Sequence, residues 1–160
     1  MQASSFLEEL RDKIRTLEWP GTSNKIFDND VFVVAELPTP NLNQFNGPCA
    51  FIVDQGFIND KEYPRLGFQK FSIAFFLENA LDAFGEATMI GGCSVNNTSR
   101  GQGCKLVEEV LLRELREVTL LNTTDPIFIR PTSLPRPQLL EKNETAIYKF
   151  LSYQAWCSLD

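Results

Sequence analysis

The stretch from Gly91 to Lys105, GGCSVNNTSRGQGCK, holds the densest set of groups suited to chemistry in the chain: four glycines, two cysteines, three hydroxyl side chains and an arginine. Glycine-rich backbone cradles phosphate when a lysine and then a serine or threonine follow the last glycine. The ammonium then reaches phosphate and the hydroxyl reaches magnesium. Here Gly103 is followed by Cys104, Lys105 and Leu106, so the hydroxyl is missing. The dinucleotide fingerprint G-x-G-x-x-G fails at the same place, because Leu106 stands where its third glycine belongs. Cys93 and Cys104 have no second cysteine close by, as a structural zinc site requires. What remains is a connecting loop with Arg100 near its tip, of the kind that orders on contact with another protein.

Other groups lead to the same reading. Asp28 and Asp30 are spaced as in a solvated turn, and Lys70 falls on the solvent side of an alternating strand. Asp54, Asp60 and Glu62 form the one set of carboxylates that would serve an enzyme or small-molecule binder, given a deep pocket. The chain has no histidine, which removes Ser-His-Asp and Cys-His catalysis, His-ligated zinc and the commonest neutral-pH base. No catalytic, cofactor-binding or metal-ligating residue is expected, and the chain reads as a non-enzyme.

Residues 1–160 are expected to form a single domain, long enough to bury a core without staples. Thirteen phenylalanines predict an aromatic interior. A net charge of −6, with no cluster of basic residues, argues against nucleic-acid binding. The charged N-terminal stretch is unlike a signal peptide, and no apolar run reaches the roughly 18 residues a membrane helix needs. The expectation is a protein made without export and free of membrane, its cysteines (Cys49, Cys93, Cys104, Cys157) free thiols.

The elements that must carry these groups follow from periodicity. Phe6, Leu7, Leu10, Ile14 and Leu17 predict a helix over 4–18, capped by Ser4 or Ser5 with glutamates in its first turn. Strands are predicted at Val31–Leu37 and 47–56, then a polar loop over 57–67. Over 68–80, Phe71, Ile73, Phe75 and Leu77 alternate with Lys70, Ser72, Ala74 and Phe76, which predicts a strand. A second helix is expected over 104–121, stopped at Asn122, then a short strand at PIFIRP. The proline-spaced TSLPRPQ reads as an extended connection. A last strand over 145–159 is apolar on both faces, which predicts a central position or a covering partner. The order gives an α+β fold, a mostly antiparallel sheet with two helices packed on one face.

Assembled in this order, the chain resembles the tail terminator (tail completion) proteins of long-tailed bacteriophages. The N-terminal amphipathic helix, VFVVAELPTPN, GPCAFIVDQG, LGFQKFSIAFFLEN, CKLVEEVLLRELREV and RPTSLPRPQLLEKNETAIYKFLSYQAWC carry the likeness, which is one of layout across nearly the whole chain. The resemblance implies an α+β subunit of a hexameric ring that caps the tail tube, ends its polymerisation and joins the tail to the neck. It implies no cofactor and no reaction. Its partners would be further copies of the chain, the tail tube protein and a head-completion or neck protein, with DNA passing through the lumen unbound. The location implied is the virion, after assembly in host cytoplasm. Another neck or tail-completion component, or an adaptor binding a peptide along a sheet edge, fits the same layout.

The family offers no motif residues to transfer, so candidate interface positions come from loop chemistry alone. They are Phe57, Tyr63 and Arg65 in the polar loop, Arg100 in the glycine-rich stretch, and Arg130 and Arg136 beside the prolines. Tyrosine and arginine are enriched where interfaces gain most of their energy.

Overall fold

The computed structural model describes residues 2–38, 44, 48–78, 103–118, 127–132, 136–140 and 143–158. Its elements are helix α1 (Ala3–Arg15), strands β1 (Val31–Val34), β2 (Cys49–Asn59) and β3 (Leu66–Glu78), and helix α2 (Cys104–Glu114). Four strands follow, β4 (Glu117–Val118), β5 (Ile127–Pro131), β6 (Arg136–Leu140) and β7 (Asn143–Ser158). The strands pair in the order β1-β2-β3-β7-β5-β4, with β6 also against β7. Among the described strands, β1 and β2 run parallel and the other strand pairs are antiparallel. This is the expected α+β fold.

Alternation along β3 divides the sheet's two faces. Phe71, Ile73 and Phe75 point to one side, where they join Ala50, Ile52, Tyr153 and Ala155. Both helices pack there: α1 contributes Phe6, Leu10 and Ile14, and α2 contributes Cys104, Val107, Val110 and Leu111. Phe71 lies between the Phe6 ring, 5.5 Å away, and the Tyr153 ring, stacked at 5.4 Å. The aromatic interior predicted from the phenylalanine count is therefore built around β3. The other face carries a smaller cluster of Cys49, Phe51, Ala74 and Phe76, with Val34 and Leu37 packed on it.

β7 is central, as its doubly apolar pattern predicts. One edge pairs with β3 along thirteen residues, and the other pairs with β6 and then β5 in succession. The proline-spaced connection is thus partly a strand: Arg136 and Pro137 lie opposite Phe150 and Lys149. Four strands rather than two follow α2.

Several boundaries depart from expectation. α1 ends at Arg15 and is capped by Gln2, without a side-chain cap or an acidic residue in its first turn. The Ser5 hydroxyl instead donates to the Gln2 carbonyl (3.3 Å). β1 stops at Val34, short of Leu37. α2 stops at Glu114, and Glu117 and Val118 pair with Phe128 and Ile127, exchanging a further helical turn for sheet hydrogen bonds. The polar loop shrinks to 60–65, because β2 does not end at Gly56. The β2–β3 register shifts between Asp54 and Phe57, and Gly56 sits at φ +86°, a conformation that favours glycine. Asp54 Oδ1 accepts from the Gly56 amide (2.8 Å). The glycine marks a bulge inside one long strand rather than a strand end.

Candidate functional site: an apolar row at one end of the sheet

The bulge has a consequence two residues on. Past it, Ile58 of β2 pairs with Phe68 of β3, and Phe68 pairs with Trp156 of β7. Three large apolar side chains thus form one row across three strands, on the face opposite the helices. Phe68 and Trp156 meet edge to face with centroids 4.7 Å apart. Ile58 is 50% exposed and Trp156 39%. Scattered surface apolar residues need no explanation, but a contiguous row of an isoleucine, a phenylalanine and a tryptophan does.

The next row is polar and cationic. Lys70 pairs with Gln154, which pairs with Arg130 of β5. One step further the face closes over: Ser72 is buried, and its hydroxyl lies 3.0 Å from that of Ser152. Ser72 and Ser152 thus separate the row from the Phe51–Ala74–Phe76 cluster further along this face.

The β2–β3 loop is held by backbone and side-chain bonds. Asp60 Oδ1 accepts from the amides of Glu62 (2.8 Å) and Tyr63 (3.1 Å), and the Leu66 amide donates to the Tyr63 carbonyl (2.8 Å). Tyr63 is left 58% exposed, and Arg65 is exposed beside it. Of the three carboxylates that an enzyme or small-molecule binder would need, Asp60 and Glu62 belong to this turn. Asp54 accepts from Gly56 and from Gln69 Nε2 (2.8 Å) at the bulge. Each aspartate thus shapes backbone locally. Among the described residues, no three metal-ligating side chains converge.

The sequence-derived interface candidates divide accordingly. Tyr63 and Arg65 lie at the apolar-row end of the sheet, and Arg130 lies in the adjoining row. Phe57 does not join them. It is half-buried, packs on the helix-side core, and lies across Gly67, where an added Cβ would stand 2.8 Å from its ring. Arg136 sits opposite Phe150, four residues along β7 from the position opposite Arg130, or about 14 Å away. Arg100 lies outside the described residues, as does most of the glycine-rich stretch. Its last residues are described: Gly103 is the N-cap of α2, and Cys104 is buried in the core.

Ile58 and Phe68 were not legible as site residues. Phe68 carries a signal nonetheless, since it shares the parity of Lys70 and Ser72, the polar side of β3. Of the chain's two tryptophans, Trp19 is core and Trp156 is exposed.

Among the described residues, no thiol takes part in the row. Cys49, Cys104 and Cys157 are buried and outside any disulfide. Burial pushes the Cys49 thiol up to about 12, with Asp30 adding to it, and the Cys157 thiol up to about 11. Neither ionises near neutral pH, so neither acts as a nucleophile there. Compared with known proteins, the chain matches no family model and no curated protein.

Proposed function

We propose that this chain is a structural subunit of a hexameric ring of the tail-terminator type. The ring caps the tail tube of a long-tailed bacteriophage, ends tube polymerisation and joins the tail to the neck. The single observation that carries the reading is the exposed Ile58–Phe68–Trp156 row beside Tyr63. Tryptophan and tyrosine in a partly exposed apolar patch are what a protein–protein contact needs at its energetic centre. The resemblance in layout supplies the kind of assembly. The net charge of −6 suits a lumen that DNA must traverse without adhering.

The function is carried by surfaces, so its test is assembly. Purified chain added to polymerising tail tube protein of the same phage is expected to bind tube ends and stop growth at substoichiometric ratios. Tubes that keep growing at a chain-to-subunit ratio of one would overturn the reading.

A further inference from the structure

A head-to-tail ring needs two different surfaces that fit each other. The molecule carries a second exposed apolar place, at β1. There Phe32 stacks on Phe51 (centroids 5.6 Å) yet remains partly exposed, and Val33 is exposed next to it. Resting on the ring reading, we propose that the Ile58–Phe68–Trp156 row of one copy docks on the Phe32–Val33 strand of the next. The contact is steered by opposite charge.

The charges beside the two places are of opposite sign. Lys70 and Arg130 adjoin the row, and among the described residues neither is in an ion pair. The loop next to them is balanced, Lys61 and Arg65 against Asp60 and Glu62. Around β1 stand Asp28, Asp30 and Glu36, also outside any ion pair among the described residues. The cation at β1, Arg15, is already engaged: it lies 3.5 Å from Asp12 and donates to the carbonyls of Asn29 (3.3 Å) and Val31 (3.0 Å). Those bonds also occupy the start of the β1 edge, so side chains rather than strand addition are what a partner meets there. Complementary potentials of this kind set orientation and speed encounter.

One copy cannot bring its own two surfaces together. Phe51, which pairs with Phe32, lies opposite Ala74, and the row passes through Phe68, six residues along β3 or about 20 Å away. The occupant of each surface is therefore a second copy. Because the two surfaces differ, the contact is heterologous and propagates until it closes.

Charge reversal with complementation tests this. Lys70→Glu/Arg130→Glu makes both surfaces acidic, and Asp28→Asn/Asp30→Lys/Glu36→Lys makes both basic. Each variant alone is expected to lose self-association by at least about tenfold, while an equimolar mixture regains the wild-type assembly as an alternating ring. Circular dichroism checks that each is folded. A variant that assembles like wild type, or a folded pair that does not complement, overturns this contact and leaves the ring reading standing. A wild-type chain that stays monomeric to about 1 mM and on tube ends overturns the ring reading and the contact together. Should a reversal variant not fold, Ile58→Cys/Val33→Cys in a Cys93→Ser background replaces it. Mild oxidation is then expected to yield a covalent ladder of oligomers, and intact monomer would overturn the contact.

Discussion

Phe68 and Trp156 face each other across the β3–β7 pairing with their rings at 71°, a fixed aromatic pair that the core does not cover. Trp156 is the larger and more exposed member, and it stabilises the monomer modestly. Trp156→Ala is expected to cost about 2–3 kcal/mol of folding stability, about 1 from the edge-to-face pair and the rest from the apolar area it buries. Self-association should weaken by roughly thirtyfold or more. Urea unfolding and light scattering on the same samples separate the two effects. A large loss of stability with unchanged association would make Trp156 a core residue.

Phe71 has the opposite profile. It is fully buried between Phe6 and Tyr153, at the point where α1 meets β3 and β7. Phe71→Ala is expected to destabilise the fold by about 3–5 kcal/mol, through lost burial and the cavity left behind. The urea midpoint reports this, and a shift under 1 kcal/mol would contradict the packing described.

Gly67 allows β2 and β3 to approach beyond the bulge. An alanine Cβ there would run into the Ile58 carbonyl and stand 2.8 Å from the Phe57 ring. Gly67→Ala should therefore destabilise by about 1–3 kcal/mol. Adding Phe57→Ala is expected to recover only part of that loss, since the backbone clash remains. Full recovery in the double variant would place the whole conflict at the ring.

The buried thiols give stability a pH dependence with a definite sign. Unfolded, Cys49 and Cys157 ionise near their ordinary value of 9.0; folded, burial holds them protonated to about 12 and about 11. Between those values the unfolded chain binds fewer protons, so stability present below pH 9 falls as pH rises toward 11. The measurement is the urea midpoint from pH 7 to 10.5, compared with Cys49→Ala/Cys157→Ala, whose profile should be flatter. In a Cys93→Ser background, a thiol reagent at pH 8 should label the native chain slowly and the unfolded chain at once.

Local periodicity made most of the fold legible. Phe6, Leu10 and Ile14 announce α1, and Phe71, Ile73 and Phe75 announce the helix-side face of β3. The doubly apolar run ending at Cys157 announces a central strand. What stayed hidden depends on pairing between distant segments. Nothing local says that Gly56 bulges a strand instead of ending it, or that Glu117 and Val118 leave the helix to pair with β5. The apolar row is hidden for the same reason. Ile58, Phe68 and Trp156 are far apart in sequence, and only the registers of β2, β3 and β7 align them. Tyr63, Arg65 and Arg130, picked by residue type, lie at or beside the row's end of the sheet, whereas Phe57 shows how one strand step turns a candidate surface residue toward the core.

The proposed ring differs from the lone chain sixfold in mass, which solution scattering reads. Light scattering behind a sizing column, over a wide concentration range and with tail tube ends present, should reveal a species of six 18.1 kDa chains, about 110 kDa. A single species at 18.1 kDa under every condition, tubes included, would contradict it.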